Sequence, residues 1–597
     1  MERGMRSRRA FALPAMILIV ACGSDPEGSS NQANMATHCV PGFQQACMCP
    51  DGVTQGVQVC DLNGQLAVAC DCGAGSVGGV GATGGTGGIA GTASPVGGTG
   101  GTAGAGAGDV GGFAGMTPAG TGGTSGATGG SAGVGGVAGT EAGTMAPTTN
   151  LAGGVRISDI SFYQAVKVQL SNAGEPVIAR NAPVIIGKEG LLRVSVEPLD
   201  GFTPRELLVE LTLSSSEGPA ASQMATKMIS SASTVSSLDS TINFDIPGEH
   251  ITADLKYAVA LREVSSATMG TADPAARFPM TDGELIEMGA RDAGPLRVMV
   301  VPYRYQGDGS GRLPTMDDAQ LELFESYLHS YYPASQIELT VREPVDYDQQ
   351  VGPNTGWEQW LDFHCSVRTD DDPDPKLLYY GVMSMRESQQ AYGGGIYGIS
   401  PVPNPAANYG RCSVGVGFEG NAAASTMAHE LGHSLGLPHA PCGVDGGPFP
   451  YENASIGVWG YSLGAQELRD PDEYSDMMSY CDPSFISDYN FEKLFERVRY
   501  LNLQFDERFA VPARYTRVLL DKTGSLSVRG GVTLKRAPAG DEDAHAVKVL
   551  DARGRALSAA DKAYWLPFSE AGTGLWLVPT PAGAHSVRLG NTTVVLP

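Results

Sequence analysis

The eleven residues His429–His439, HELGHSLGLPH, leave the chain around them few conformations to choose from. They satisfy H-E-x-x-H-x-x-G-x-x-H at every fixed position. The stretch Ala422 to Leu435 (AAASTMAHELGHSL) is rich in helix formers, which predicts a helix. His429 and His433 lie four residues apart, so both imidazoles project from one face of it. Two neutral imidazoles on one face can hold zinc at about 2.0–2.1 Å each. Glu430 sits beside the first ligand but points elsewhere, which suits it to act on a metal-bound water. Gly436 falls where the helix should stop, because glycine tolerates the left-handed conformation that ends a helix. That turn would swing His439 back as third ligand, and Pro438 prevents the helix from resuming. Three protein ligands leave the fourth position to water, the arrangement of a catalytic rather than a structural zinc.

A second signal follows at Ser475-Asp476-Met477-Met478-Ser479-Tyr480. It resembles the Met-turn of metzincin proteases, in which a methionine packs beneath the metal. Met478 is the better match, because Ser479 and Tyr480 follow it as in the M-S-Y form; Met477 is the alternative. In astacin-like and serralysin-like metzincins a tyrosine two places after the Met reaches the zinc. By that resemblance Tyr480 is a candidate to stabilise the oxyanion; the alternative is a tyrosine buried under the site. The chain resembles the metzincin clan from about Pro295 to Asn502. Within the clan it looks most like the StcE family of secreted, mucin-directed zinc proteases, on the HELGHSLGLPH run, the Ser455-Ile456-Gly457-Val458-Trp459-Gly460 segment and the β-rich region upstream. Ala440 follows the third His, where adamalysins carry Asp and astacins Glu.

The net charge of −25 argues against nucleic-acid binding, since phosphates would be repelled. The N-terminus reads as a targeting segment: Arg3, Arg6, Arg8 and Arg9 precede the apolar run Phe11 to Ala21. Ile19-Val20-Ala21-Cys22 resembles a bacterial lipobox, which makes Cys22 the lipidated first mature residue and the lipid the expected membrane contact. The alternative is an ordinary signal peptide cleaved near Ala21. Of the eleven cysteines, ten remain without Cys22, an even number that suits disulfides in an exported protein. Six are Cys39, Cys47, Cys49, Cys60, Cys70 and Cys72, with fifteen pairings open. In the catalytic region, Cys442 follows the third ligand by three residues and Cys481 follows Met478 by three. Both flank the zinc site, so they are expected to pair, leaving Cys365 with Cys412.

The segments expected along the chain are a lipoprotein signal peptide (1–21), a polar tether (22–38) and a disulfide-rich module (39–72) too small for an ordinary core. Residues 73–154, mostly Gly, Ala, Thr and Ser, read as a disordered linker with a span of roughly 50 Å. From 155 to 290, alternating segments such as Leu207-Leu208-Val209-Glu210-Leu211-Thr212-Leu213 predict a β-sandwich. The catalytic domain (295–505) opens on the buried strand Leu296 to Val301, followed by helices at Met316–Tyr331, Trp357–Cys365 and Phe491–Leu501. Residues 508–597 return to short strands and a terminal β domain. The fold class expected is multidomain α+β: a metzincin-type catalytic domain, its mixed sheet carrying the zinc-site helix, flanked by β-sandwich-like domains. The acidic run Asp370-Asp371-Asp372-Pro373-Asp374 suggests calcium or a solvated loop. In metzincins a glycine-containing edge strand pairs with extended substrate; Gly394, Gly395 and Ile396 are placed for that role, with a plain Gly-rich loop as the alternative.

These readings converge on a secreted or surface-anchored zinc endopeptidase of the cell envelope, acting on extracellular proteins or glycoproteins with Glu430 as base. The competing reading is a surface-binding protein with a non-catalytic protease-like fold, which loss of a ligand or of the Glu would favour; neither is lost. A non-peptide hydrolase such as a cell-wall amidase is compatible with the same metal site.

Overall fold

The computed structural model describes residues 44–48, 55–59 and 150–596, except 217–220, 265–270, 405–406, 408, 504–511, 537, 539–543 and 559–560. The expected signal segment, Cys22 and the Gly-rich stretch up to residue 149 lie outside the described residues, as do the side chains of the six cysteines from Cys39 to Cys72. In the N-terminal unit, Gln44–Met48 and Gln55–Val59 form an antiparallel hairpin.

Two antiparallel sheets follow. One runs in the order Ile242–Ile246, Gly190–Pro198, Val155–Tyr163, Lys167–Asn172, Glu175–Pro176. The other runs Arg277–Phe278, Lys256–Glu263, Arg205–Ser214, Ala221–Ile229. The period of two does what the sequence suggests: Leu207, Val209, Leu211 and Leu213 are buried, while the residues between them are half-buried. Both sheets contribute to one apolar cluster. Ordered chain begins before residue 155. Leu151 bridges Arg262, and Ala152, fully buried, donates its N–H to the Leu261 carbonyl at 2.9 Å. Residues 150–154 of the expected linker therefore belong to the sandwich, because they complete a strand edge that would otherwise be bare.

The next sheet has the order Ile337–Val341, Leu296–Tyr305, Leu378–Met383, Cys412–Val416, Gly398–Ile399. All its neighbours are parallel except the last pair. Five α-helices accompany it among the described residues: α1 (Asp318–Tyr331), α2 (Trp357–Asp371), the single turn α3 (Gln389–Tyr392), α4 (Asn421–Ser434) and α5 (Asp488–Leu503). Outside these helices, strands dominate. Asp317 caps α1 by accepting the Gln320 N–H at 3.0 Å. Helix α2 runs six residues past Cys365 and ends on Asp372, whose φ is +46°. The acidic run is thus a helix end. Asp371 takes both forks of Arg342, at 2.7 and 2.9 Å, and Asp372 pairs with Lys535. Carboxylates spent on separate cations do not converge, so the calcium expectation has no support here. Both expected disulfides of the catalytic region form: Cys365–Cys412 ties α2 to the sheet, and Cys442–Cys481 closes a 39-residue separation beside the motif.

The C-terminal seven-stranded antiparallel sheet spans Ala513–Leu520 to Thr592–Val595. It packs Tyr515, Leu519, Leu566 and Phe568 into a cluster that also holds Trp357, Trp360, Val414 and Val416. Buried Asp362 of α2 receives Arg517 at 2.8 Å and Arg529 at 3.3 Å. The sandwich cluster likewise continues through Ala293, Leu296 and Val298 into α1, α4 and α5. No helix among the described residues is long and apolar enough to cross a membrane.

Candidate active site

Helix α4 carries the motif and is buried along most of its length, with α1 and the strand Cys412–Val416 against it. The Tyr332 hydroxyl donates to the Ala428 carbonyl at 2.6 Å, fixing the helix just before the first histidine. Its C-terminus closes as the glycine predicts. Gly436, at φ +87°, donates to the His433 carbonyl at 2.7 Å, and Leu437 donates to the Gly432 carbonyl at 3.0 Å. That pair of bonds is the Schellman closure. A Cβ at Gly436 would also stand 2.7 Å from the Pro403 carbonyl oxygen. The turn brings His439 back to the helix.

The three imidazoles converge. His433 Nε2 lies 3.1 Å from His429 Nε2 and 3.0 Å from His439 Nε2. These separations are of hydrogen-bond length, yet they are not hydrogen bonds. His429 Nδ1 meets the Met477 carbonyl at 2.7 Å, and His433 Nδ1 meets the Leu437 carbonyl at 2.7 Å. A carbonyl only accepts, so Nδ1 carries the proton and Nε2 presents a lone pair. Burial disfavours a second proton: it pushes His429 down to about 4 and His439 down to about 3, and holds His433 well below its ordinary value. Neutral lone pairs aimed at one another repel unless a cation lies among them. Tetrahedral zinc with bonds of about 2.0–2.1 Å separates its ligands by roughly 3.3–3.4 Å, close to what is found. The donor set fits zinc, and it is the one metal-competent His/Cys/Asp/Glu group among the described residues.

Glu430 faces the cleft from the same helix and is nearly fully buried. Ser400 Oγ lies 2.7 Å from its Oε2 and 2.8 Å from its carbonyl oxygen. Burial pushes the Glu430 carboxyl up to about 8, with Ser400 acting in the opposite sense. A divalent cation on the neighbouring imidazoles would pull it back down. Gly398 makes room for this side chain: a Cβ there would sit 2.5 to 2.7 Å from Glu430 Cγ, Oε1 and Cδ.

The segment after the motif supports it from below. Met478 is buried with its Sδ against Gly432, where an added Cβ would meet it at 2.6 Å, while Met477 supplies the carbonyl for His429. The buried Asp476 carboxylate accepts from the N–H groups of Met478 and Ser487 and from Asn490 Nδ2, at 2.8 to 2.9 Å. The Tyr480 ring stands edge-on to His439 with centroids 5.0 Å apart, and it lines the cleft half-buried rather than beneath the site. The cleft is about 800 Å³ and brings together Ile396, Tyr397, Gly398, His429, Glu430, His439 and Tyr480.

The edge strand expected over Gly394, Gly395 and Ile396 is not formed there. Gly393, Gly394 and Gly395 have φ of +77°, +101° and +111°, a turn that no extended strand contains. The Ile396 N–H already donates to the Pro353 carbonyl at 2.7 Å, and its carbonyl accepts from Tyr392 Oη at 2.5 Å. The strand that edges the sheet is Gly398–Ile399, two residues later. Sequence reasoning passed over Gly398, Ser400 and Asp476. Asp476 had a faint signal, an acid beside two methionines; Gly398 and Ser400 had none, because only the fold brings them to α4.

The sequence profile of the Peptidase M66 family matches residues 387–492, which hold all three imidazoles, Glu430 and the Met477–Met478 turn. Two curated proteins of Dictyostelium discoideum are similar over part of this region. Dictomallein-4 is 31% identical over 115 residues, 17% of this chain and 19% of its own. Dictomallein-1 is 34% identical over 91 residues, 15% of each. The chain thus spans less than a fifth of the length of the curated relatives it matches. Among solved structures, metalloproteinase-II from Bacteroides fragilis aligns over 56% of this chain and 87% of its own at 11% identity; its TM-score of 0.21 carries no argument. Residues 387–492 therefore match a metalloprotease family, and His429, His433 and His439 within them form a group that could hold the metal it implies.

Proposed function

We propose that this chain is a zinc endopeptidase that hydrolyses extracellular proteins, glycoproteins among them, from the bacterial cell envelope. The observation that carries the reading is the convergence of three imidazoles, with His433 Nε2 3.1 Å from His429 Nε2 and 3.0 Å from His439 Nε2, beside a buried carboxylate in an open cleft. His429, His433 and His439 would hold the ion; zinc, when bound, supplies Lewis acidity toward a carbonyl and toward water. Glu430 accepts the proton of the attacking water on its carboxylate and returns it to the leaving amine nitrogen. Ser400 and the space left by Gly398 fix the direction of that carboxylate. Tyr480, whose ring stands 5.0 Å from that of His439, would donate a hydrogen bond to the carbonyl oxygen as negative charge builds on it. Anchoring through a lipid on Cys22 rests on the N-terminal sequence and would let a tethered enzyme reach large substrates.

The test is Glu430→Ala. Zinc content by mass spectrometry should stay near that of wild type, and casein cleavage should disappear. Chelator should abolish wild-type cleavage and added zinc restore it. Retained cleavage in Glu430→Ala, or zinc-independent cleavage, refutes the reading.

A further inference from the structure

The C-terminal β domain reaches into the catalytic cleft. Its loop between Asp561–Pro567 and Gly574–Pro579 is pinned to the edge of the catalytic sheet. The Ser569 N–H donates to the Ser400 carbonyl at 2.7 Å, and the Ser400 N–H donates to Ser569 Oγ at 3.2 Å. Pro401 bridges Phe568, and the Val402 N–H donates to the Pro567 carbonyl at 2.8 Å. The loop is also closed on itself: the Phe568 N–H donates to the Thr573 carbonyl, and Thr573 donates to the Glu570 carbonyl through both its N–H and its hydroxyl. Ser400 is the residue that touches Glu430, so this foreign loop abuts the catalytic carboxylate through one intermediate.

At the tip of the pinned loop, Glu570 lines the same cleft as Glu430 and Tyr480 and lies close enough to act on both electrostatically. Its carboxylate is half-buried, and among the described residues no hydrogen bond or ion pair within 4.0 Å is found for it. A carboxylate that has lost part of its water and gained no donor is costly, and a cation offered by a ligand relieves that cost. Apart from the imidazoles and Glu430, the charged groups lining the cleft are Glu570, Asp445 and Lys522. Lys522 partly offsets Glu570 but is itself exposed. Glu570 and Asp445 against Lys522 leave one net negative charge on the cleft wall away from the imidazoles.

We infer that the C-terminal β domain forms a wall of the substrate cleft and that Glu570 selects substrates bearing a Lys or Arg side chain close to the scissile bond. The inference rests on the endopeptidase reading above. A rigid loop suits the role, because specificity needs a charge held in place rather than one that follows its partner. Arg and Lys pair with a partly desolvated carboxylate more strongly than any neutral side chain does.

The test uses the full-length, zinc-loaded protein and a proteome-derived peptide library, with cut sites read by mass spectrometry. Wild type should enrich Lys and Arg at one position within a few residues of the cut. Glu570→Gln, which keeps shape and loses charge, should reduce that enrichment by about tenfold relative to neutral cut sites in the same digest, the loss of roughly one half-buried charge pair. Lys522→Met, which removes the competing cation, should raise it. Opposite shifts in two variants cannot come from misfolding. Cleavage without a basic preference, or the same preference in Glu570→Gln, overturns this inference alone. No cleavage by zinc-loaded wild type overturns both it and the endopeptidase reading.

Discussion

Replacing Gly398 with alanine separates holding the metal from using it. The Gly398 φ lies outside the left-handed region, so the backbone accepts alanine. The three atoms nearest the new methyl all belong to Glu430, at 2.5 to 2.7 Å from Cγ, Oε1 and Cδ. Carbon atoms prefer about 3.5–4.0 Å, so the carboxylate must move by roughly 1 Å. It cannot keep its bond to Ser400 Oγ, now 2.7 Å, while doing so. Overpacking of this size costs about 1–3 kcal/mol of stability, and a reactive group misplaced by about 1 Å costs on the order of a hundredfold in rate. No imidazole atom is among the three nearest to the methyl. The expected result is therefore unchanged zinc stoichiometry, a folded protein with a modestly lower Tm, and kcat/KM on a fluorogenic peptide down by about a hundredfold. Wild-type kcat/KM in Gly398→Ala would refute the role given to the Glu430 geometry. Loss of zinc would show that the strand Gly398–Ile399 holds the ligands as well.

Removing the Cys442–Cys481 disulfide by double serine substitution should cost about 4 kcal/mol in the chain-entropy picture for a 39-residue separation, and should speed zinc loss to a chelator because the bridge joins the His439 loop to the Met478 segment; denaturant melts and metal-release rates check both. Asp362→Ala leaves the buried Arg517 and the half-buried Arg529 without their shared anion and should lower stability by about 3–5 kcal/mol, read by urea unfolding. Lys188 is fully buried, and burial pushes its ammonium down to about 8. The folded state then binds fewer protons than the unfolded one between about pH 8 and the ordinary lysine value, so its contribution to stability rises with pH through that window and its penalty is fully present below it. Lys188→Met should gain relative to wild type as pH falls from about 10.5 to 8, by up to about 3 kcal/mol; parallel stability–pH curves for the two proteins would contradict this.

The histidine cluster was legible because its geometry is local. The helical period sets His429 against His433, and one glycine turn sets His439, so eleven consecutive residues contain all three converging imidazoles. The disulfides were legible for a related reason, their cysteines flanking the two segments that meet there. The support of Glu430 was not legible. Gly398 and Ser400 precede it by about thirty residues, and Ser569 by sequence order belongs to another domain. The glycine run allows an edge strand or a loop on sequence, because glycine fits an edge and a left-handed turn equally well on composition; the positive φ values at Gly393 to Gly395, with the Pro353 carbonyl against Gly395, belong to the turn. The acidic run allows a cation site or a solvated loop on sequence, with α2 expected to end at Cys365; Ser366 to Asp371 continue the helix, Asp371 meets Arg342, and the C-cap Asp372 meets Lys535.

The apolar interior takes no notice of the borders that the sequence suggests. Leu207 and Leu296 share one cluster with Leu431, and Leu519 shares another with Trp360. A fragment cut near residue 290 or 505 would leave a greasy face on both pieces, so residues 150–596 would have to be inherited, swapped or truncated as a block. Recombination among relatives could not exchange the neighbours of the M66-like region without rebuilding its inside.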